Sequence, residues 1–189
     1  MIRIYIADVS DLDADLALER VSAQRREKAL RITDESSRRL SLGAAVLAQK
    51  VLGTGDWSVS ENGKPYLPDR SAHFSLSHCN DMVVCAVSDA PVGIDLERIR
   101  EDSARLAERF FAPDEKTLVS AGGDPDAEFC RIWTLKESYI KLRDMRLADI
   151  RSFSVLSAGA AFFSQRYGEY FISCCADDHP EVEIIETKI

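Results

Sequence analysis

The sequence predicts an α+β protein of two pseudo-duplicated lobes, each a long helix packed on a small antiparallel sheet. Two helical patterns of similar length, near 35–52 and 126–143, are each flanked by short strand-like segments. The composition, 46% hydrophobic and 30% charged over 189 residues, is that of a globular chain with a substantial core. The order changes over near residues 98–104, so the expected division is an N-terminal lobe 1–100 and a C-terminal lobe 101–189.

Residues 2–6 open as a strand with Ile2, Ile4 and Ile6 on one face. From Asp13 to Ile32 the period turns helical, with Leu16, Val21 and Leu30 as core contacts. A second helix follows from Glu35 to Leu52, its stripe carrying Leu40, Leu47 and Val51 and its end marked by Gly53. Asn62-Gly63 is a turn. Segments 73–78, 82–88 and 92–97 read as strands joined by short connections, hence an antiparallel meander. Helical signals return at 103–111 and 114–119, and the break Gly122-Gly123-Asp124-Pro125 precedes the longest helix, 126–143. Its stripe includes Phe129, Ile132, Trp133 and Ile140. Strands are expected at 153–156, 161–165, 170–176 and 182–186.

The net charge of −8 argues against a nucleic-acid binder. Five cysteines, an odd number without a Cys-x-x-Cys pair, indicate neither a disulfide framework nor a structural zinc site. The opening strand lacks the length of a signal peptide or spanning helix, so no membrane partner is expected and a cytoplasmic location follows.

Three groups of residues carry possible chemistry. Asp95 and Glu97, two apart on a strand, send both carboxylates from one face. Alone they read as a solvated acidic edge; with a cation between them their repulsion is relieved. Glu137 and Lys141, four apart on the long helix, read alone as a surface ion pair. Joined to Asp95 and Glu97, Glu137 would complete an oxygen-rich Mg²⁺ site, with Lys141 aimed at a phosphate. Residues 20–39 hold seven basic against three acidic side chains, either a solvated helix face or a patch for a polyanionic ligand or acidic partner. His78, at the end of an alternating strand with Phe74 and Leu76 inward, is either a structural hydrogen-bonder or a phosphate contact.

Taken in order, RREK (25–28), RLSLG (39–43), GKPY (63–66), FSLSH (74–78), VGIDLE (92–97), RFF (109–111) and WTLKESYIK (133–141) resemble the 4′-phosphopantetheinyl transferases. The likeness spans nearly the whole chain and is to the two-lobed type that activates surfactin synthetase. It implies transfer of the phosphopantetheine arm of coenzyme A to a serine of an apo carrier protein (acyl, peptidyl or aryl), releasing 3′,5′-ADP. By the resemblance, Asp95, Glu97 and Glu137 would bind Mg²⁺, with Mn²⁺ as a substitute. Glu137 and Lys141 would be catalytic, and Ser77 and His78 would adjoin the coenzyme A phosphates. Arg25, Lys28 and Arg39 would line the 3′-phosphate pocket, with Lys64 and Pro65 near the adenine. Arg25 stands where the family often has Lys, and the glycine-rich turn usual after the long helix is replaced by LRDMRLADI (142–150). A monomer is implied, the active site lying between the chain's own halves. The alternatives are a catalytically silent coenzyme A- or carrier-binding homologue and a Mg²⁺-dependent nuclease.

Overall fold

The computed structural model describes residues 1–178 and 181–189. Its elements are strands β1 (Ile2–Asp8), β2 (Ser58–Val59), β3 (Pro65–Tyr66), β4 (His73–Cys79), β5 (Met82–Ser88), β6 (Gly93–Arg98), β7 (Ala161–Tyr167), β8 (Tyr170–Ala176) and β9 (Val182–Glu186). The helices are α1 (Ala14–Arg20), α2 (Ala23–Leu30), α3 (Glu35–Leu52), α4 (Ala107–Phe110), α5 (Pro113–Ala121) and α6 (Pro125–Arg143), with 3₁₀ turns at Ser103–Leu106 and Leu147–Arg151. The α+β class follows as expected, with α3 packed on β4 and β5 and α6 on β6 and β8.

The strands are distributed differently from the expected meander. One sheet has the order β4-β5-β1-β9 and another β6-β8-β7. β6 cannot pair with β5, because β4 and β1 already occupy both edges of β5. It pairs antiparallel with β8 instead. The C-terminal strand β9 returns to the first sheet, parallel to β1. Both sheets therefore draw strands from either side of residue 100. Where they meet, β4 lies beside β6, and side chains stitch the two: Ile94 N–H donates to Ser75 Oγ (3.2 Å) and Ser77 Oγ to Asp95 Oδ1 (2.7 Å).

Local chemistry explains the helix ends. α3 keeps its expected bounds, capped by Asp34, whose carboxylate accepts from Ser37 N–H (2.7 Å), and stopped by Gly53 at φ 72°. The single helix expected over 13–32 is two: Val21 and Ser22 are extended, and Arg26 Nε caps α1 by donating to Leu18 C=O (2.8 Å). Val21 is buried as expected, whereas Leu16 and Leu30 are exposed. In α6, Phe129, Ile132 and Ile140 are buried, and Trp133 packs against the cluster that holds Phe129 and Ile132.

No strand forms at 153–156, because side chains take the backbone groups that a ladder would use. Val155 N–H donates to Glu115 Oε1 (2.8 Å), and Phe153 C=O accepts from Lys136 Nζ (2.6 Å). The five cysteines are buried and free. Among the described residues, no helix is long and apolar enough to cross a membrane.

Candidate active site

The seam between β4 and β6 opens into a cavity of about 390 Å³. β6 supplies Asp95 and Glu97 to it, on the face opposite the fully buried Leu96. α6 supplies Glu137 and Lys141, one helical turn apart. Glycine at position 93 permits this meeting: a Cβ there would lie 1.9 Å from Ser138 C=O and 2.5 Å from Leu142 N, so any side chain would push α6 off the strand.

Asp95, Glu97 and Glu137 each offer an oxygen, and the three lie within 4.8 Å of one another. Lys141 Nζ donates to Asp95 Oδ1 (2.6 Å) and to Ser77 Oγ (2.9 Å). Asp95 Oδ2 is buried with no hydrogen-bond partner among the described residues. An orphaned carboxylate oxygen beside two further carboxylates is costly unless a cation completes it. The clustering also shows in the titration of the group. Burial, reinforced by the charges of Asp95 and Glu97 and opposed by Lys141, pushes Glu137 up to about 7. Glu97 is raised by the same causes, burial first and Asp95 next. The donor set is three hard oxygens with room left in the cavity, which fits Mg²⁺ or Mn²⁺.

Other parts of the lining are cationic and aromatic. Arg25 and Lys28 line the cavity with Trp57, Val59, Gly63 and Pro65. The Arg25 guanidinium lies 4.3 Å from the Trp57 ring centroid and donates to Trp57 C=O (3.1 Å), which fixes its plane. His78 faces the same space. Partial desolvation, and next the Lys141 charge, lower the pKa of its imidazole.

Comparisons with known proteins supply the family. The family model described as the 4′-phosphopantetheinyl transferase superfamily matches residues 91–183, which include the three carboxylates and Lys141. A Bacillus subtilis 4′-phosphopantetheinyl transferase is 35% identical over 156 residues, covering 76% of this chain and 69% of the relative. The Escherichia coli 4′-phosphopantetheinyl transferase AcpT is 32% identical over 155 residues, 76% of this chain and 73% of its own. A Bacillus pumilus relative reaches 49% over 84 residues, 43% of this chain and 36% of its own. The chain belongs to the 4′-phosphopantetheinyl transferase superfamily.

Against this family background, most of the expected site residues share one cavity: Arg25, Lys28, Pro65, Ser77, His78, Asp95, Glu97, Glu137 and Lys141. Two are placed elsewhere. The Arg39 guanidinium bonds Asp81 Oδ1 (2.9 Å) in the β4–β5 turn and is not part of the cavity lining. Arg39 lies two residues from the cavity-lining Ser41, a step of about 200° round the helix, so the two face opposite ways. Lys64 turns its ammonium away, donating to Leu142 C=O (2.7 Å) at the end of α6, while its neighbours Gly63 and Pro65 form cavity wall. Trp57, Ser41, Ala44 and Ala45 also line the cavity and carried no sequence signal beyond being apolar or small. Trp57 was open to notice only as an aromatic within reach of a basic helix.

Proposed function

We propose that this transferase moves the phosphopantetheine arm of coenzyme A onto a serine of an apo carrier protein (acyl, peptidyl or aryl), releasing 3′,5′-ADP. The observation that carries the reading is the convergence of Asp95, Glu97 and Glu137 within 4.8 Å, in a cavity that Arg25 and Lys28 also line. Three carboxylates beside Lys141, with Arg25 and Lys28 in the same lining, suit a ligand that carries a pyrophosphate and a separate phosphate.

Asp95, Glu97 and Glu137 would hold the divalent cation, Mg²⁺ or Mn²⁺. Bound there, the ion supplies charge neutralisation of the pyrophosphate. Lys141, held by Asp95 and Ser77, is positioned to donate to a phosphate oxygen and to the charge that grows on the leaving group. His78 donates to the phosphates, and Arg25 and Lys28 bind the 3′-phosphate, Arg25 through a guanidinium already oriented by Trp57. Pro65 and Gly63 wall the adenine side. Glu137, directly or through a water, would accept the serine proton as the hydroxyl oxygen forms its bond to phosphorus and the anhydride bond breaks.

The basic 20–39 segment, beside the cavity through Arg25 and Lys28, suits an acidic carrier surface. The lining comes from one chain, which supports a monomer, and we place the enzyme in the cytoplasm. Incubation with coenzyme A, Mg²⁺ and an apo carrier protein should add the mass of one phosphopantetheine to the carrier. Asp95→Ala and Glu137→Ala should each abolish the adduct. Affinity for coenzyme A with no adduct would favour a silent homologue, and DNA degradation a nuclease.

A further inference from the structure

The hairpin β2–β3 has two residues in each strand, too few to be stable alone, yet it contributes Val59, Gly63 and Pro65 to the cavity. Its order has to come from what it touches. Three hydrogen bonds tie it to the end of α6, the helix that bears Glu137 and Lys141. Ser60 Oγ donates to Asp144 Oδ1 (2.7 Å), Asn62 Nδ2 to Asp144 C=O (2.6 Å), and Lys64 Nζ to Leu142 C=O (2.7 Å). Ser60 Oγ also accepts from Lys64 N–H (3.0 Å), so the Asp144 carboxylate reaches the turn itself. The two carbonyls are among those that a helix leaves unpaired at its C-terminus.

Asp144 occupies the left-handed region, φ 53° and ψ 43°, where glycine carries the least strain. The stretch 142–150 contains no glycine. A side chain that accepts this strain while its carboxylate grips a cavity-forming hairpin has a purpose that the helix stop alone does not require.

We infer that Asp144 is a positioning residue: it latches the β2–β3 hairpin onto the end of α6, and so holds the cavity wall at a fixed distance from Glu137 and Lys141. The kinetic part of this inference rests on the transferase reading; the latch does not.

The test compares Asp144→Gly, which keeps the backbone geometry and removes the carboxylate, with Asp144→Asn, which keeps an acceptor. In the full-length protein, Asp144→Gly should speed amide hydrogen exchange across residues 58–66 about 5- to 10-fold, with other segments unchanged. It should raise KM for coenzyme A about 5- to 10-fold, leaving kcat and the carrier KM within about twofold. Asp144→Asn should restore both. Unchanged exchange over 58–66 would overturn the latch. Faster exchange with an unchanged coenzyme A KM would overturn its role in binding, as would a parallel fall in every constant together with the melting temperature. A wild-type protein that modifies no carrier would sink the transferase reading, and the exchange result would still decide the latch.

Discussion

Two lysines five residues apart on α6 meet carboxylates in opposite ways. Lys136 is fully buried and donates to both oxygens of the equally buried Glu115 (3.0 and 2.8 Å) and to Phe153 C=O (2.6 Å). Glu115 also accepts from Val155 N–H and Ala112 N–H, each at 2.8 Å. Every strong donor and acceptor in that cluster is matched, and the result ties α5, α6 and the 153–155 segment together. Lys141 is partly exposed, and its partner Asp95 keeps a buried oxygen with no partner among the described residues, beside two further carboxylates. The contrast locates function where the polar accounting is left incomplete: a closed network can only hold structure, while an open one still has a ligand to take.

Exchanging the two lysines' fates is the sharpest way to break this contrast. Lys136→Met leaves Glu115 buried without a counter-charge, so stability should fall by about 3–5 kcal/mol, measured by denaturant unfolding. Lys141→Met should cost less than about 1.5 kcal/mol, since the cavity admits water, yet reduce carrier modification at least about 100-fold. Equal stability losses would erase the distinction.

A middle-sized effect concerns pH. The Glu137 carboxyl, raised to about 7 in the folded protein, retains a proton that the unfolded chain has released between its ordinary value and 7. Its contribution is therefore present at low pH and is lost as pH rises through about 7. Without divalent metal, the melting temperature should decline from pH 5.5 to about 8. Saturating Mg²⁺ should oppose that decline, so its stabilisation should be larger at about pH 8 than at about pH 6. A Mg²⁺ effect independent of pH would contradict the shared carboxylate site.

The smallest contrast lies within the basic segment. Arg39→Ala should leave KM for coenzyme A within about twofold, because its guanidinium is engaged by Asp81, while Lys28→Ala should raise it about 5- to 20-fold. Similar changes for both would show that Arg39 reaches the ligand.

Much of this was legible in the chain. α3 follows from a capping Asp34, an apolar stripe and Gly53, all local signals. β8 and β9 keep their expected bounds because short β-rich runs mark them well. The shared face of Asp95 and Glu97 and that of Glu137 and Lys141 are consequences of strand and helix periods. The break at Val21 was hidden, because the pattern on either side is helical and the cap comes from Arg26, a side chain folding back from the next helix. Segment 153–156 misled for a similar reason: its alternation is that of a strand, but Glu115 and Lys136 claim its backbone first.

By itself the sequence determined which side chains could share a face, where most helices start and stop, and the presence of acid and base in suitable kinds. Those are matters of local geometry, set by 2.0 and 3.6 residues per repeat. Only the tertiary structure decided that β6 leaves β5 for β8, that Lys136 is sealed while Lys141 faces the cavity, and that Arg39 turns to Asp81. Each of these depends on which edges and partners remain free once distant segments have packed, and no short stretch of chain contains that information.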